Sequence, residues 1–289
     1  MAEKNFCLRP KYLDGFKCDG AACGALCCRN AWRIAVDAAT YQKYLRLGHE
    51  VTRHLRADES GEKYFIVHSD ACPFLTADNM CGLQRAHGED YLSPVCDGYP
   101  RIVTRFENFW EVALSLTCPI AARLVLLQTE PLVFELTEPS EKILRREANT
   151  TLQGVPRDLA PTMVEVQLAM VEILQTRRLT LHERFARLKD FLAPDAPLTT
   201  ESLPKKSLPA EFATVAENFL VNEIFLNVWP FRLDATVAEN FRAFAAAYKI
   251  FERQALTART VDELLTAAGK VSRLIDHDED YLQRQLVPR

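Results

Sequence analysis

The sequence has neither a long apolar segment nor an excess of positive charge. The apolar run from Leu124 to Leu127 falls far short of the roughly 18 apolar residues that a membrane span needs, so it fits only a core helix. The N-terminus, Met1-Ala-Glu-Lys-Asn, has polar residues where a signal peptide needs an apolar run. The net charge of −4 argues against a nucleic-acid-binding surface, which would be basic. We therefore expect a cytoplasmic protein with no transmembrane segment and no nucleic-acid partner.

Cysteine is absent after Cys118, although the sequence contains nine cysteines in total. A disulfide framework is typical of a secreted and usually short chain with an even number of cysteines, which this sequence does not match. Soft thiolates gathered in this number suit an iron–sulfur cluster or zinc instead. We predict a metal centre whose ligands are drawn from Cys18, Cys23, Cys27, Cys28, Cys72, Cys81, Cys96 and Cys118.

The spacing of these cysteines leaves the number of metal centres open. Four thiolates complete either a cubane iron–sulfur cluster or a tetrahedral zinc site, so one centre with spare cysteines and two centres are both compatible with the sequence. Cys27 and Cys28 are adjacent, and we expect their side chains to diverge. The Cys-x2-Cys knuckles of zinc ribbons are missing, as is the Cys-x3-Cys-x2-Cys triplet of radical enzymes. We favour an iron–sulfur cluster of the 4Fe-4S type, with zinc or mononuclear iron as the alternative.

Two cysteines have distinct positions. Cys118 precedes Pro119, and proline suits the first turn of a helix because its missing N–H would be unpaired there. A helix N-terminus favours a thiolate through its unpaired N–H groups and its dipole, so Cys118 is a good candidate ligand. Cys7 lies outside the pattern, and we expect it to bind no metal.

The local patterns predict an α+β fold that is mostly α. A cysteine-rich metal-binding part over residues 1–138 contains short strands, and a helical bundle follows over residues 139–285. Residues 286–289 match what cleavage of a C-terminal tag leaves, and we expect them to be such a remnant. The prolines between residues 194 and 209 predict a linker or surface loop.

Individual elements follow from the same patterns. Strands are predicted at 32–36 and 64–67, together with a hairpin over 102–116 whose turn is Glu107-Asn108. Apolar residues at helical spacing and Thr-x-x-Glu capping patterns predict helices over 37–47, over 120–127, around 163–173, from Thr180 to Leu192, over 212–228, from Thr236 and from Thr260.

Several segments together resemble the flagellin lysine N-methylase family and its relatives that carry a cysteine-cluster domain for zinc or iron. In the cysteine-rich part, the similar segments are Phe16-Lys-Cys18 through Cys27-Cys28, Ile34-Ala-Val-Asp37 followed by Thr40-Tyr41, Cys72-Pro-Phe-Leu75, Cys81-Gly-Leu-Gln84, Cys96 with Tyr99-Pro-Arg101, and Leu116-Thr-Cys118-Pro119 with Ala121-Ala-Arg123. In the helical part, they are Arg177 to Arg184, Glu217 to Asn222, Trp229-Pro-Phe231 and Ser272 to His277. The resemblance spans nearly the whole chain.

This resemblance implies methyl transfer from S-adenosylmethionine to lysine ε-amines of flagellin, in a manner that depends on an iron–sulfur cluster. The sequence has only ten glycines and no Gly-x-Gly-x-x-Gly after a strand, so an ordinary Rossmann-type methyltransferase site is not supported. Adenosylmethionine would have to bind near the metal or on the helical half.

A lysine side chain must lose a proton before its nitrogen attacks a methyl sulfonium, so the site needs a polar group that accepts it. Tyr99, Arg101, Glu111 and His277 lie in or near the similar segments and are candidate catalytic residues. Each has an ordinary alternative: Tyr99 and Arg101 pack in a turn, and His277 is a solvated residue at a helix end. The alternative for the whole chain is a non-catalytic metal-binding module or chelator, because a structural metal site stabilises a fold by itself.

Overall fold

The computed structural model describes residues 5–29, 33–61, 64–66, 70–106, 109–140, 143, 150–151, 159–195, 208–232 and 235–277. The described chain is α+β and mostly helical, which confirms the predicted fold class. Its strands are β1 (Phe6–Pro10), β2 (Ile34–Val36), β3 (Leu55–Ala57), β4 (Tyr64–Ile66), β5 (Arg101–Phe106), β6 (Phe109–Leu114), β7 (Phe134–Thr137) and β8 (Thr150–Thr151). Its α-helices are α1 (Gly20–Cys23), α2 (Ala38–Leu47), α3 (His49–Thr52), α4 (Gly82–His87), α5 (Pro94–Gly98), α6 (Pro119–Leu126), α7 (Leu159–Leu174), α8 (Leu181–Leu192), α9 (Ala210–Leu226), α10 (Val237–Ala255) and α11 (Val261–His277).

The chain divides into two compact units. Lys17–Tyr99 form one of them, which we call the cysteine unit. Met1–Phe16 and Pro100–Arg289 form the other, which we call the helical unit. The predicted boundary between residues 138 and 139 lies inside the helical unit, so the N-terminal strand and the long C-terminal helices share one unit.

The cysteine unit is built on a small antiparallel sheet with the order β2-β4-β3. Ile66 at the centre lies opposite Ile34 on one side and Leu55 on the other, so three apolar side chains share one face. Asp37 caps α2 by accepting the N–H of Thr40 at 3.2 Å, as the predicted helix over 37–47 requires. The buried cluster consists of Ile34, Val36, Tyr44, Leu55, Ile66 and Leu83.

The helical unit contains a five-stranded sheet with the order β7-β1-β6-β5-β8. β5 and β6 form the predicted hairpin, in register from Arg101 opposite Leu114 to Phe106 opposite Phe109. The predicted turn residues 107–108 lie outside the described residues. β1 pairs in parallel with β6 and antiparallel with β7, a long-range pairing that no local pattern predicted. Strand β6 thus lies in the middle of the sheet, and all of its residues are buried.

The predicted capping patterns form at the long helices. At α8 and α10 the threonine oxygen accepts the N–H of the glutamate three residues later, and the carboxylate accepts the threonine N–H in return. At Thr260 only half of the motif forms. Its hydroxyl accepts the Glu263 N–H at 3.2 Å, whereas the Glu263 carboxylate accepts the N–H of Arg259, one residue earlier.

Helix α9 is buried along most of its length and carries polar side chains with specific partners. Asn222 donates to the Leu114 carbonyl at 3.0 Å and accepts the Tyr12 hydroxyl at 2.5 Å, which fastens α9 to β6 and to the N-terminal segment. Glu217 accepts from Arg184 at 2.8 Å and from Arg177 at 3.0 Å. These bonds satisfy groups that would be costly to bury alone.

Aromatic side chains fill the space between α8, α9 and α10. Phe219 stacks on Phe251 with ring centroids 4.3 Å apart, and Phe185 lies within 6.4 Å of Phe241, Phe244 and Tyr248. The apolar stripes predicted for these helices therefore form a bundle core. None of the described helices combines the length and the apolar character that crossing a membrane requires.

Candidate functional site

The first four cysteines of the cysteine unit lie in or just ahead of two short helical turns. Cys18 is exposed ahead of α1, and Cys23 ends α1 with its sulfur 3.8 Å from the Gly20 carbonyl. Cys27 and Cys28 lie in a 3₁₀ turn with their sulfurs 3.9 Å apart. The expectation that these two side chains diverge is wrong. The backbone reaches them through left-handed Gly24 and Ala25, and this tight path brings both thiols to one side.

A second stretch of the cysteine unit packs directly against the first. The Cys72 N–H donates to the Cys28 carbonyl at 2.7 Å. Arg29 donates to the Asn79 side chain at 2.8 Å. A Cβ on Gly20 would lie 2.1 Å from the Asn79 carbonyl oxygen, so only glycine permits this approach. Cysteines that are far apart in sequence thereby become neighbours.

Cys81 and Cys96 lie at the starts of the two helices that complete the unit. Cys81 is the N-cap of α4, and its backbone forms an isolated antiparallel β-bridge with Leu75. Cys96 lies in the first turn of α5, where its backbone N–H donates to the Ser93 hydroxyl oxygen at 3.3 Å. The pKa of the Tyr44 phenol is raised mainly by burial, and the nearby thiols of Cys96, Cys81 and Cys72 raise it further. The thiols of the two stretches therefore occupy one neighbourhood.

The thiols also influence one another. Burial, and then the neighbouring Cys81 and Cys27, raise the pKa of Cys72. Cys96 is exposed as a residue, yet the surrounding protein still desolvates its thiol and raises its pKa to about 12, with Cys72, Cys81 and Cys27 adding to the effect. The hydrogen bond with Cys28, followed by burial, raises the pKa of Cys27. Cys96 is thus coupled electrostatically to Cys72, Cys81 and Cys27, and Cys72 to Cys81 and Cys27, which places these four soft donors in one region of the unit.

The donor chemistry fits a thiolate-bound iron–sulfur or zinc centre. Among the residues described, however, no three His, Cys, Asp or Glu side chains converge closely enough to hold a single metal ion. No disulfide joins any of the nine cysteines, all of which lie in the described part of the chain. Cys118 is the N-cap of α6, as predicted, and is buried in the helical unit.

Three of the four candidate catalytic residues have ordinary surroundings or lack a described side chain. Tyr99 is the C-cap of α5 in the cysteine unit. Arg101 starts β5 in the helical unit, and its guanidinium lies 5.0 Å from the centre of the Phe16 ring. His277 is the last residue of α11, and its side chain is outside the described part. Packing is therefore the role that the structure supports for Arg101.

Glu111 is different, because its carboxyl is buried in the middle of β6 with an exposed fraction of 1%. Burial raises its pKa to about 8, against a smaller lowering by Gln167 on α7. The Gln167 amide nitrogen lies 3.5 Å from one carboxyl oxygen of Glu111. The other carboxyl oxygen and the Gln167 amide oxygen are both buried, and neither has a hydrogen-bond partner among the described residues.

Sequence reasoning selected Glu111 and missed Gln167. The missed signal was present, because Gln167 lies four residues after Met163 and three before Met170, on the apolar stripe of α7. A polar residue on such a stripe faces the core. Glu111 lies opposite Thr104 in the hairpin rather than opposite Arg101, so the structure does not pair these two candidates.

Comparisons with known proteins agree with the resemblance in the sequence. The flagellar biosynthetic protein FliU of Salmonella muenchen is 31% identical over 120 residues, which cover 38% of this chain and 70% of that protein. Proteins named lysine-N-methylase from Salmonella typhimurium and Salmonella choleraesuis are each 29% identical over 151 residues, or 49% of this chain. That match spans 36% of the length of each lysine-N-methylase.

No protein-family model and no solved structure matches the chain. The identity to the flagellar protein nevertheless reaches 31% across more than two thirds of its length, and the proteins named lysine-N-methylase match half of this chain. On this evidence, the chain belongs to the flagellin lysine N-methylase family.

Proposed function

We propose that this chain is a protein lysine N-methyltransferase that uses S-adenosylmethionine, with flagellin as its protein substrate. The observation that supports the activity is the 29% identity of half the chain to proteins named lysine-N-methylase. The name of the flagellar biosynthetic protein supports a substrate from the flagellum. We infer the use of adenosylmethionine and the iron–sulfur dependence from the sequence resemblance, and the cytoplasmic location stays a prediction from the sequence.

Glu111 is the residue best suited to remove the proton from lysine. Its pKa of about 8 lies near the working pH of a general base, and its burial excludes water. Burial disfavours both the carboxylate and the ammonium, so it favours moving the proton from nitrogen to oxygen. In this step one lysine N–H bond breaks and a Glu111 O–H bond forms. The neutral nitrogen then attacks the methyl carbon, and the departing sulfur retains the electron pair of the broken carbon–sulfur bond.

The thiols of Cys27, Cys72, Cys81 and Cys96 are the residues that we propose to hold the metal centre. A cluster binds each thiolate to a different iron, so its ligands need not converge on one point as they do around a single ion. When bound, a cluster supplies cross-linking of the fold and a local positive charge that favours the thiolate forms. Cys18, Cys23, Cys28 and Cys118 remain proposed ligands.

Methyl transfer is tested with the full chain purified without oxygen. The chain is mixed with flagellin and with adenosylmethionine that carries a deuterated methyl group, and flagellin peptides are then examined by mass spectrometry. We expect labelled methyl groups on lysine nitrogens, and a loss of about 100-fold or more in rate for Glu111→Gln. Unlabelled lysines after prolonged incubation of iron-loaded chain would contradict the proposal.

A non-catalytic metal-binding module is the second candidate, and the small core of the cysteine unit favours it. Among the described residues of this unit, six buried side chains form that core with partly buried ones packed against it, and a bound metal would add to its stability. Metal analysis distinguishes the two candidates. A colourless zinc protein that stays folded in air and binds no adenosylmethionine would support the module, whereas iron with acid-labile sulfide supports the cluster-dependent enzyme.

A further inference from the structure

When Glu111 is ionised, the buried contact between β6 and α7 contains two acceptor oxygens for which the described residues offer no donor. Glu111 and Gln167 are 1% and 0% exposed, and the one bond between them, at 3.5 Å, is at the limit of hydrogen-bond length. Within the described part of the chain, one carboxyl oxygen of Glu111 and the amide oxygen of Gln167 have no hydrogen-bond partner. Buried polar atoms are almost always satisfied, so the ionised form of this pair, which lacks the carboxyl O–H of protonated Glu111, calls for a donor from a ligand or a water.

We propose that Glu111 and Gln167 form the binding site for a primary alkylammonium group, with Glu111 as its acceptor and Gln167 as a positioning residue. This inference deepens the proposed function, on which its biological meaning rests, because it assigns the lysine ε-amine to a place in the fold. It also adds a residue that the sequence did not indicate.

An ammonium is the ligand that matches two acceptors best. It carries three donors and no acceptor, whereas water and hydroxyl groups bring lone pairs that these oxygens cannot use. The site is buried, and lysine carries its compact charge at the end of a flexible four-carbon stem. A guanidinium, with five donors in a rigid fork, would bury more donors than these two oxygens can satisfy.

Among the described residues, no charged side chain shifts the pKa of Glu111. Leu8 on β1 and Thr104 on β5 lie opposite it in the sheet, and Cys7 on β1 stays neutral because burial raises the pKa of its thiol to about 11. The charged side chains on the surrounding elements are engaged elsewhere or exposed: Arg9 with Asp14 and Glu135, Arg101 over Phe16, Arg105 over Trp110, Arg123 with Asp262, Glu217 with Arg177 and Arg184, Glu223 with Asn227, and Glu165 and Glu172 at the surface.

The binding test uses n-butylammonium chloride as the probe and isothermal titration of the full chain at pH 8.5, a pH chosen to lie about half a unit above the pKa of Glu111 and about two units below that of the amine. We expect saturable binding that weakens about tenfold or more in Glu111→Gln and several-fold in Gln167→Met, since a hydrogen bond to a charged group is worth roughly that much. Glu172→Gln removes the same charge from an exposed position on α7 and should bind like the natural chain. n-Butanol should not compete.

The pH dependence of the unmodified chain gives a second measurement that needs no variant. Affinity for butylammonium should rise as the pH increases from 7 to 9, because Glu111 ionises with a pKa of about 8, and should fall again near the amine pKa of about 10.4. No saturable binding, equal binding by Glu111→Gln, or a flat profile would overturn the inference, and a buried water would then be the partner of these oxygens.

The outcomes also separate this inference from the proposed function. If flagellin lysines are labelled but amine binding does not depend on Glu111, the proposed methyltransferase activity is supported and the proposed ammonium site is contradicted. If amine binding depends on Glu111 but the chain methylates no lysine, the ammonium site is supported and the proposed methyltransferase activity is contradicted.

Discussion

The two units of this protein reach their structures by different means. The cysteine unit has strands of three residues and a core of six buried side chains, and it contains seven of the nine cysteines. The helical unit has a five-stranded sheet and helices of up to 19 residues that bury stacked aromatic rings. Apolar burial is the main stabilising force of the second unit, whereas we propose that the first depends on an additional cross-link by a metal. The thiols are the groups that can provide it.

The largest effect is expected from removing a thiol of the cysteine unit. Cys72→Ser takes away a donor whose backbone is bonded to Cys28, so we expect most of the bound iron to be lost and the unit to open. Iron and labile-sulfide content, together with tryptic cleavage between residues 17 and 99, measure both effects. Cys7→Ser is the matched control, since Cys7 lies in the helical unit. Equal iron loss in both variants would break the comparison.

The next effect concerns the buried ion pair of the helical unit. Glu217→Gln leaves Arg184 without its countercharge, and we expect the free energy of unfolding to fall by about 3–5 kcal/mol, because an uncompensated buried charge is costly. Urea unfolding followed by circular dichroism measures this change, while the iron content should stay constant. Asp262→Asn breaks the exposed pair with Arg123 and should cost about 0–1 kcal/mol.

Glu111 makes the stability of the helical unit depend on pH. Its folded pKa of about 8 lies above the ordinary value of 4.5, so the folded chain holds a proton that the unfolded chain releases. Its contribution to stability is therefore fully present below about pH 4.5 and is lost as the pH rises to 8, with a slope of at most about 1.4 kcal/mol per pH unit. Glu111→Gln should flatten this slope in urea titrations between pH 5 and pH 8. An unchanged slope would show that Glu111 is not protonated in the folded chain.

The smallest effect is expected at a helix cap. Thr236→Ala removes the oxygen that accepts the Glu239 N–H at 3.2 Å, which should lower the free energy of unfolding by about 1 kcal/mol. Thr236→Ser keeps the oxygen and is the control. Thermal unfolding should show the loss in the alanine variant alone, with the cysteine unit unaffected in both.

The sequence predicted the features that local chemistry determines. The N-cap of α2 at Asp37, the β5–β6 hairpin, the capping boxes at Thr180 and Thr236 and the place of Cys118 ahead of α6 all follow from residues a few positions apart. It missed the pairing of β1 with β6 and β7, because register between distant strands depends on tertiary packing.

The candidate site was predicted only in part. Glu111 was selected, but its raised pKa depends on burial between elements far apart in sequence. The stripe position of Gln167 is readable in the sequence, but its contact with Glu111 depends on the packing of α7 against β6. The closeness of Cys27 and Cys28 depends on two left-handed residues before them. A sequence pattern indicates which residue types gather, whereas backbone path and burial decide how they meet.

Hydrogen exchange of the intact chain, with its metal and after removal of the metal by a chelator under reducing conditions, tests the dependence of the cysteine unit on metal most directly. Peptides between residues 17 and 99 should lose protection when the metal is removed, while those from α9 and α10 should keep it. The opposite result, with equal protection in both states throughout the cysteine unit, would show that its small core suffices without a metal.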